Sequence, residues 1–211
     1  MIAWLRRLAS FDTRVFDEVR SNPAATLPGV IFAAGSLFLA GIGGWLWWSL
    51  EDYGNAGDIL VHSTIIGSII ALVLWCLAWV GIVYFILTQL FRERAYLEQL
   101  MRVMGLAATP LSLMLLMFVP GISFGIGLTA LVLTFGLNNI AIQSVTTANP
   151  ARVLVANGTG FLVWAAALSL LASASISTVE PHAPGIFLYN TTTTATQDLL
   201  SLGQEIDSLF P

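Results

Sequence analysis

Four amides stand out in a chain otherwise poor in groups that do chemistry. Asn138, Asn139 and Gln143 lie near the end of one long apolar run, and Asn157 lies early in the next. If those two runs pack antiparallel, the amides reach one depth. There they would bond helix to helix or line a polar vestibule for a headgroup or peptide, with interhelical bonding the default. No Asp, Glu or Arg occupies the middle of any apolar run. Proton pumps, ion-coupled carriers and intramembrane hydrolases keep such groups because buried charge is retained only for work, so this pattern argues against an energised transporter. Serines in the runs have no histidine or carboxylate at similar depth, which argues against nucleophilic catalysis. His62 and His182 are the only histidines and Cys76 the only cysteine. They form no metal-ligand set and no intramolecular disulfide, and the sequence predicts a non-enzyme without cofactor or metal.

The elements that must position these amides are five apolar stretches, roughly 28–50, 59–91, 103–119, 121–142 and 153–175. A composition of 57% hydrophobic and 9% charged residues lies far from that of soluble domains, about 25% charged. A hydrocarbon core needs about 20 helical residues, and all but the third stretch are long enough. The third, about 17 residues with Pro110 inside it, is joined to the fourth by Pro120 and Gly121. Two full crossings are expected there, with a re-entrant hairpin as the alternative. The second, about 33 residues, must tilt or run past the membrane surface.

All eight basic residues are arginines, and each falls on one side of these stretches: Arg6, Arg7, Arg14, Arg20, Arg92, Arg94, Arg102 and Arg152. Orientation follows such counts in short flanking loops. The sequence therefore predicts an all-α membrane protein with five transmembrane helices, a cytoplasmic N-terminus and a C-terminus outside. With Asp12, Asp17, Glu18, Glu93 and Glu98 the inner side sums to +3; Glu51, Asp52, Asp58, Glu180, Asp198, Glu205 and Asp207 make the outer side −7. Arginines at the inner surface face anionic lipid, and no nucleic-acid site is expected. Trp45, Trp47 and Trp48 form an aromatic belt at the outer end of the first span.

Three regions follow: 1–22, a cytoplasmic amphipathic helix; 23–178, the five-helix membrane domain; and 179–211, an extracytoplasmic acidic tail. In the first, Trp4, Leu8, Phe11, Val15 and Val19 recur at helical spacing opposite Arg6, Arg7 and Arg14, as in helices that lie in the headgroup layer or pack on a partner. Asn22 before Pro23 reads as an N-cap with proline at the first helical position. In the tail, Leu199, Leu202, Ile206 and Leu209 again have helical spacing. Such a short acidic helix would dock on the chain's own outer surface or on a partner. Small residues four apart (Ser36, Ala40 and Gly44; Ser63, Gly67 and Ala71; Gly121 and Gly125; Ala156 and Gly160) predict close helix packing, within the chain by default and between copies as the alternative.

The segment Phe16-Asp17-Glu18-Val19-Arg20-Ser21-Asn22-Pro23-Ala24-Ala25-Thr26 resembles the juxtamembrane opening of bacterial members of the Yip family. A second block has Leu90-Phe91-Arg92, then Leu100-Met101-Arg102-Val103-Met104-Gly105-Leu106-Ala107-Ala108-Thr109-Pro110, then Val119-Pro120-Gly121-Ile122. It is similar to that family's arginine loop, Arg-Val-x-Gly motif with downstream proline, and Pro-Gly turn. The resemblance covers about residues 11–175. It implies five spans with a cytoplasmic N-terminus and no enzymatic activity. Eukaryotic members bind Rab GTPases in ER and Golgi traffic. The Asp-Leu-Tyr-Gly-Pro element of that pattern is absent here, so Rab binding is not carried over. The absence of lysine points to a GC-rich bacterium and hence the bacterial cytoplasmic membrane, with an ER or Golgi membrane as the eukaryotic alternative. The expected function is a scaffold or accessory subunit of a membrane complex, with membrane lipids and a protein partner, or a second copy, as contacts. Its contact residues would be Trp4, Leu8 and Phe11 inside and Leu199, Leu202 and Ile206 outside. The alternative is a lipid or small-solute conduit built around Asn138, Asn139 and Asn157.

Overall fold

A computed structural model describes residues 2–10, 12–50, 57, 60–119 and 122–174. Among these all regular structure is helical, with five helices long and apolar enough to cross a membrane: Pro23–Trp47, Thr64–Leu90, Leu97–Phe118, Ser123–Val145 and Pro150–Leu171. Their outward faces are apolar. Ile65, Ile69, Val73 and Leu77, each four residues apart, are 43–68% exposed, and Leu162 and Leu170 are more exposed than most of these. A continuous apolar surface of this extent suits lipid and not water, and the chain is a multi-pass membrane protein in architecture.

The N-terminal region departs from the single helix expected over 1–22. It forms α1 (Ile2–Ala9) and α2 (Val15–Ser21), with a turn between. Ser10 and Asp12 cause the break, since both offer the backbone local alternatives to the helix. The Ser10 hydroxyl donates to the Arg6 carbonyl at 3.0 Å, and the Asp12 carboxylate accepts from the Arg14 N–H at 3.2 Å. Val15, Phe16 and Val19 are then buried by the chain's own spans and do not face lipid. Asn22 caps as expected: its side chain accepts from the Ala24 N–H at 3.0 Å, and Pro23 opens a 3-10 turn leading into α3 (Thr26–Leu50).

The second span, α4 (residues 60–90), alternates between α and π turns, with π segments at Leu60–Ile66, Trp75–Val80 and Ile86–Leu90. A π turn holds more residues per turn, so it shortens an over-long span. The third span does the opposite. It begins as α5 (Leu97–Ala107) and continues as a 3-10 helix over Thr109–Phe118. Pro110 causes the switch, because it cannot donate to the Leu106 carbonyl; the Thr109 hydroxyl takes that carbonyl at 2.6 Å instead. At about 2.0 Å rise per residue, the 3-10 segment stretches the 17-residue apolar run to about 30 Å, against about 25 Å as pure α-helix. This matches a hydrocarbon core of about 30 Å.

The third span is also the most enclosed, 61% buried over its most apolar window against 33–39% for the others. It packs chiefly on α3 and on α6 (Ser123–Val145), while α7 (Pro150–Ala174) packs on α6 and α4. Spans one and three touch backbone to backbone at two levels. A Cβ on Gly105 would collide with the Gly29 carbonyl, and one on Gly43 with the Met114 carbonyl. Gly29 and Gly43 lie about 21 Å apart along α3 at 1.5 Å per residue, so the third span runs beside α3 over most of a bilayer's depth. That geometry is a full crossing and not a shallow hairpin; Pro120 and Gly121 themselves lie outside the described residues.

Small residues pack mostly as expected. Ser36, Ala40 and Ala71 are buried, and Gly160 lies against the Trp79 backbone. Gly125 is a correction: it faces outward with nothing near it, and Gly127, Ala130, Thr134, Asn138 and Ala141 form the buried face of α6.

Candidate functional site

The intramembrane amides divide into two groups. Asn157 sits about 10 Å into α7 at 1.5 Å per residue, fully buried. Its Oδ1 accepts from the Trp79 indole at 2.8 Å and its Nδ2 donates to the Phe135 carbonyl at 3.2 Å. Asn139 Nδ2 donates to the same carbonyl at 3.0 Å. Both amides thus meet the Phe135 carbonyl, but the Asn139 bond lies within α6 and only Asn157 ties the second, fourth and fifth spans. Around them Trp79 meets Phe161 and Trp164 with ring centroids 5.1 Å apart, and the Trp164 indole donates to the Ala71 carbonyl at 3.2 Å. For Asn157 this is the interhelical bonding expected by default; Asn139 departs from it by bonding within its own helix. Gln143 is used separately, donating to the Ala148 carbonyl at 2.7 Å across the α6–α7 turn.

Asn138 does not join them. It is fully buried, and neither its amide nitrogen nor its oxygen has a hydrogen-bond partner among the described residues. The Thr134 hydroxyl, one turn earlier on the same face, is likewise buried and unpartnered. Adjacent residues on a helix point about 100° apart, which is why Asn138 and Asn139 have different neighbours. Groups of this kind are costly in an apolar interior; among the described residues the Trp75 indole nitrogen and the Asn139 amide oxygen are also buried without a partner, and Asn138 alone has both amide atoms so placed.

The second constellation lies where the arginines gather. Arg7 joins α1 to α2: its Nε donates to Asp12 at 2.8 Å and a terminal N–H to Glu18 at 2.5 Å, while the Trp4 indole donates to Glu18 at 2.8 Å. The hydrogen bond from Arg7 holds the Asp12 carboxyl below its ordinary value. The bond from Trp4, followed by that from Arg7, does the same for Glu18. Of the expected contact residues, Trp4 is thus part of this clasp and Leu8 is 7% exposed against the core. Phe11, Leu199, Leu202 and Ile206 lie outside the described residues.

Arg102, at the start of the most enclosed span, is 6% exposed. It donates to the Thr26 hydroxyl at 2.6 Å, the Arg20 carbonyl at 3.2 Å and Glu98 at 2.9 Å. Arg20 in turn reaches the Ser144 carbonyl, and Arg152 pairs with Glu93 at 2.8 Å while its guanidinium lies 5.5 Å from the centre of the Phe91 ring. These bonds gather α2 and the ends of all five spans into one basic end. Sequence reading had not singled out Arg102 as a tie, although Glu98 four residues earlier is the helical ion-pair spacing. Among the described residues no three His, Cys, Asp or Glu side chains come together as a metal set. Compared with known proteins, the chain matches no family model, no curated protein and no solved structure.

Proposed function

We propose that this chain is a non-catalytic Yip-type protein of a bacterial cytoplasmic membrane, acting as a scaffold or accessory subunit of a membrane complex. The observation that carries the reading is the construction of the basic end. α1 and α2 are clasped by Arg7 and locked onto the spans through Phe16, Val19 and Arg102, so the N-terminal region is a fixed surface and not a loose helix on lipid. Its outer side still offers Ile2, 82% exposed, beside Arg6. With the arginine count placing this end in the cytoplasm, the surface would meet a partner inside and the acidic tail a partner outside. Native mass spectrometry in mild detergent tests this by comparing the full chain with one truncated after Thr178 and one lacking residues 1–10. A stoichiometric partner that disappears with either deletion supports the reading. A chain that runs alone, or only with itself, in every form overturns it.

The unpartnered Thr134 and Asn138 favour a second reading, a conduit for lipid or a small polar solute, since a polar path needs unsatisfied groups to receive its cargo. Flux through vesicles of purified protein, lost in Asn138→Leu, would support it, and its absence in the unaltered chain would dismiss it.

A further inference from the structure

Between the second and third spans, residues 92–96 are neither helix nor strand, and their exposure alternates residue by residue. Phe91, Glu93 and Ala95 turn inward; Glu93 is only 18% exposed because it serves Arg152. Arg92, Arg94 and Tyr96 turn outward in a row. Arg92 stands at a φ of 56°, a left-handed conformation uncommon for a residue with a side chain. Arg7, Arg20, Arg102 and Arg152 all have carboxylate partners. Arg92 and Arg94 make no ion pair or hydrogen bond among the described residues, and both are exposed. Beside the row lies an open cavity of about 540 Å³, lined by Tyr96, Leu97, Glu98, Gln99 and Arg102. Glu98 offsets the charge of Arg102 there, so the uncompensated positive charge belongs to Arg92 and Arg94.

We infer that the Arg92-Arg94-Tyr96 row, with the cavity next to it, binds the headgroup of an anionic phospholipid. The location requires an interfacial ligand, because the loop joins the ends of two membrane spans and therefore lies at headgroup depth. Guanidinium groups match a phosphate diester in pairs of hydrogen bonds. Only Glu93 separates the two arginines, so at 3.80 Å between consecutive Cα atoms their backbones lie less than about 7.6 Å apart, close enough to hold one headgroup between them. Tyr96 and Leu97, 68% and 43% exposed, supply the aromatic and apolar border that interfaces favour and lie where the glycerol and first acyl carbons would follow. The charge, the depth and the apolar border all fit a lipid and not a soluble anion.

The test uses the full chain in detergent, titrated with phosphatidylglycerol or phosphatidylcholine and read by native mass spectrometry. Phosphatidylglycerol should bind in preference, and the double variant Arg92→Gln with Arg94→Gln should lose about 30-fold in affinity, about 1 kcal/mol for each arginine at 1.4 kcal/mol per tenfold. The control pair Arg6→Gln with Arg14→Gln, at two arginines likewise exposed and without an ion pair among the described residues, should retain it. Arg92→Lys with Arg94→Lys should fall between, since charge remains but paired hydrogen bonding does not. Equal loss in both glutamine pairs, equal binding of phosphatidylcholine, or full displacement by millimolar glycerol phosphate would each overturn the assignment. Both arginines lack partners, so thermal unfolding of the glutamine pair should match the unaltered chain; a variant that unfolds early also counts against the site, as a structural role.

Discussion

Replacing Asn157 and Asn138 by leucine makes the same chemical change at two fully buried positions, yet the structure demands different results. Asn157→Leu removes two interhelical bonds, from the Trp79 indole at 2.8 Å and to the Phe135 carbonyl at 3.2 Å. Such bonds contribute about 0.6 kcal/mol each within membranes. The substitution also strands the buried Trp79 N–H, at about 1–3 kcal/mol, so the loss should be about 2–4 kcal/mol. Asn138→Leu removes an amide that has no partner among the described residues. The penalty of about 1–3 kcal/mol for an unsatisfied group is then relieved, offset by up to about 1.5 kcal/mol for fitting a differently shaped side chain. The net runs from a loss of about 0.5 kcal/mol to a gain of about 3 kcal/mol. Unfolding in mixtures of sodium dodecyl sulfate and dodecyl maltoside, followed by tryptophan fluorescence, reads both, because Trp79 stands beside Trp164 and Phe161. If Asn138→Leu proves as damaging as Asn157→Leu, Asn138 is satisfied by something inside the bundle, and the reasoning from its unpartnered state fails. A variant that gains stability while losing vesicle flux would instead mark Asn138 as a group kept for function at a cost in stability.

Gly105→Ala places a methyl on the Gly29 carbonyl and should cost about 1–3 kcal/mol as overpacking, whereas Gly125→Ala enters open space and should change the same unfolding midpoint little. The Arg7 clasp should respond to acid in a defined direction. Asp12 and Glu18 titrate below their ordinary values of 3.8 and 4.5 in the folded chain, so their contribution is complete above those values and is lost as pH falls through the lowered ones. Amide hydrogen exchange within residues 2–10 and 12–21, corrected for the intrinsic rate at each pH, should therefore stay slow at pH 5 and rise only in stronger acid, and Arg7→Gln should open Arg14 to trypsin at neutral pH. Fast exchange at pH 5, or no effect of Arg7→Gln, would refute the clasp.

Much of this architecture can be read from residue order. Apolar run length gives five spans, Asn22 with Pro23 gives the cap, and arginine spacing gives a single basic end. What cannot be read is decided by direction around a helix and by hydrogen-bond pattern. Asn138 and Asn139 are neighbours in sequence but not in space: the face of Asn138 is shared with Thr134, while Asn139 reaches the Phe135 carbonyl. Gly43, beside the expected Gly44, makes the backbone contact with Met114, and Gly125 faces away from the core. The break at residues 10–14 was visible only as Ser10 and Asp12, residues that interrupt helices when a partner such as Arg7 rewards the turn.

The irregular backbone of the second and third spans follows from one constraint acting on two unequal segments. Both end at the loop 91–96 and must cross the same hydrocarbon thickness, but the described second span has residues 60–90 and the third only Leu97–Phe118. Tilt alone would separate α4 from its packed neighbours, where Trp79 and Trp164 hold it to α7. Widening α4 into π turns and drawing the third span out into 3-10 turns adjusts length without moving either axis. The adjustment has a chemical consequence. The Trp75–Val80 π segment carries the indole that Asn157 binds, and the 3-10 segment packs on α6, the helix with the unpartnered Thr134 and Asn138. A change in either hydrogen-bond pattern would shift the polar groups of the bundle directly. The segments whose backbone is irregular are thus the ones that pack beside the intramembrane amides.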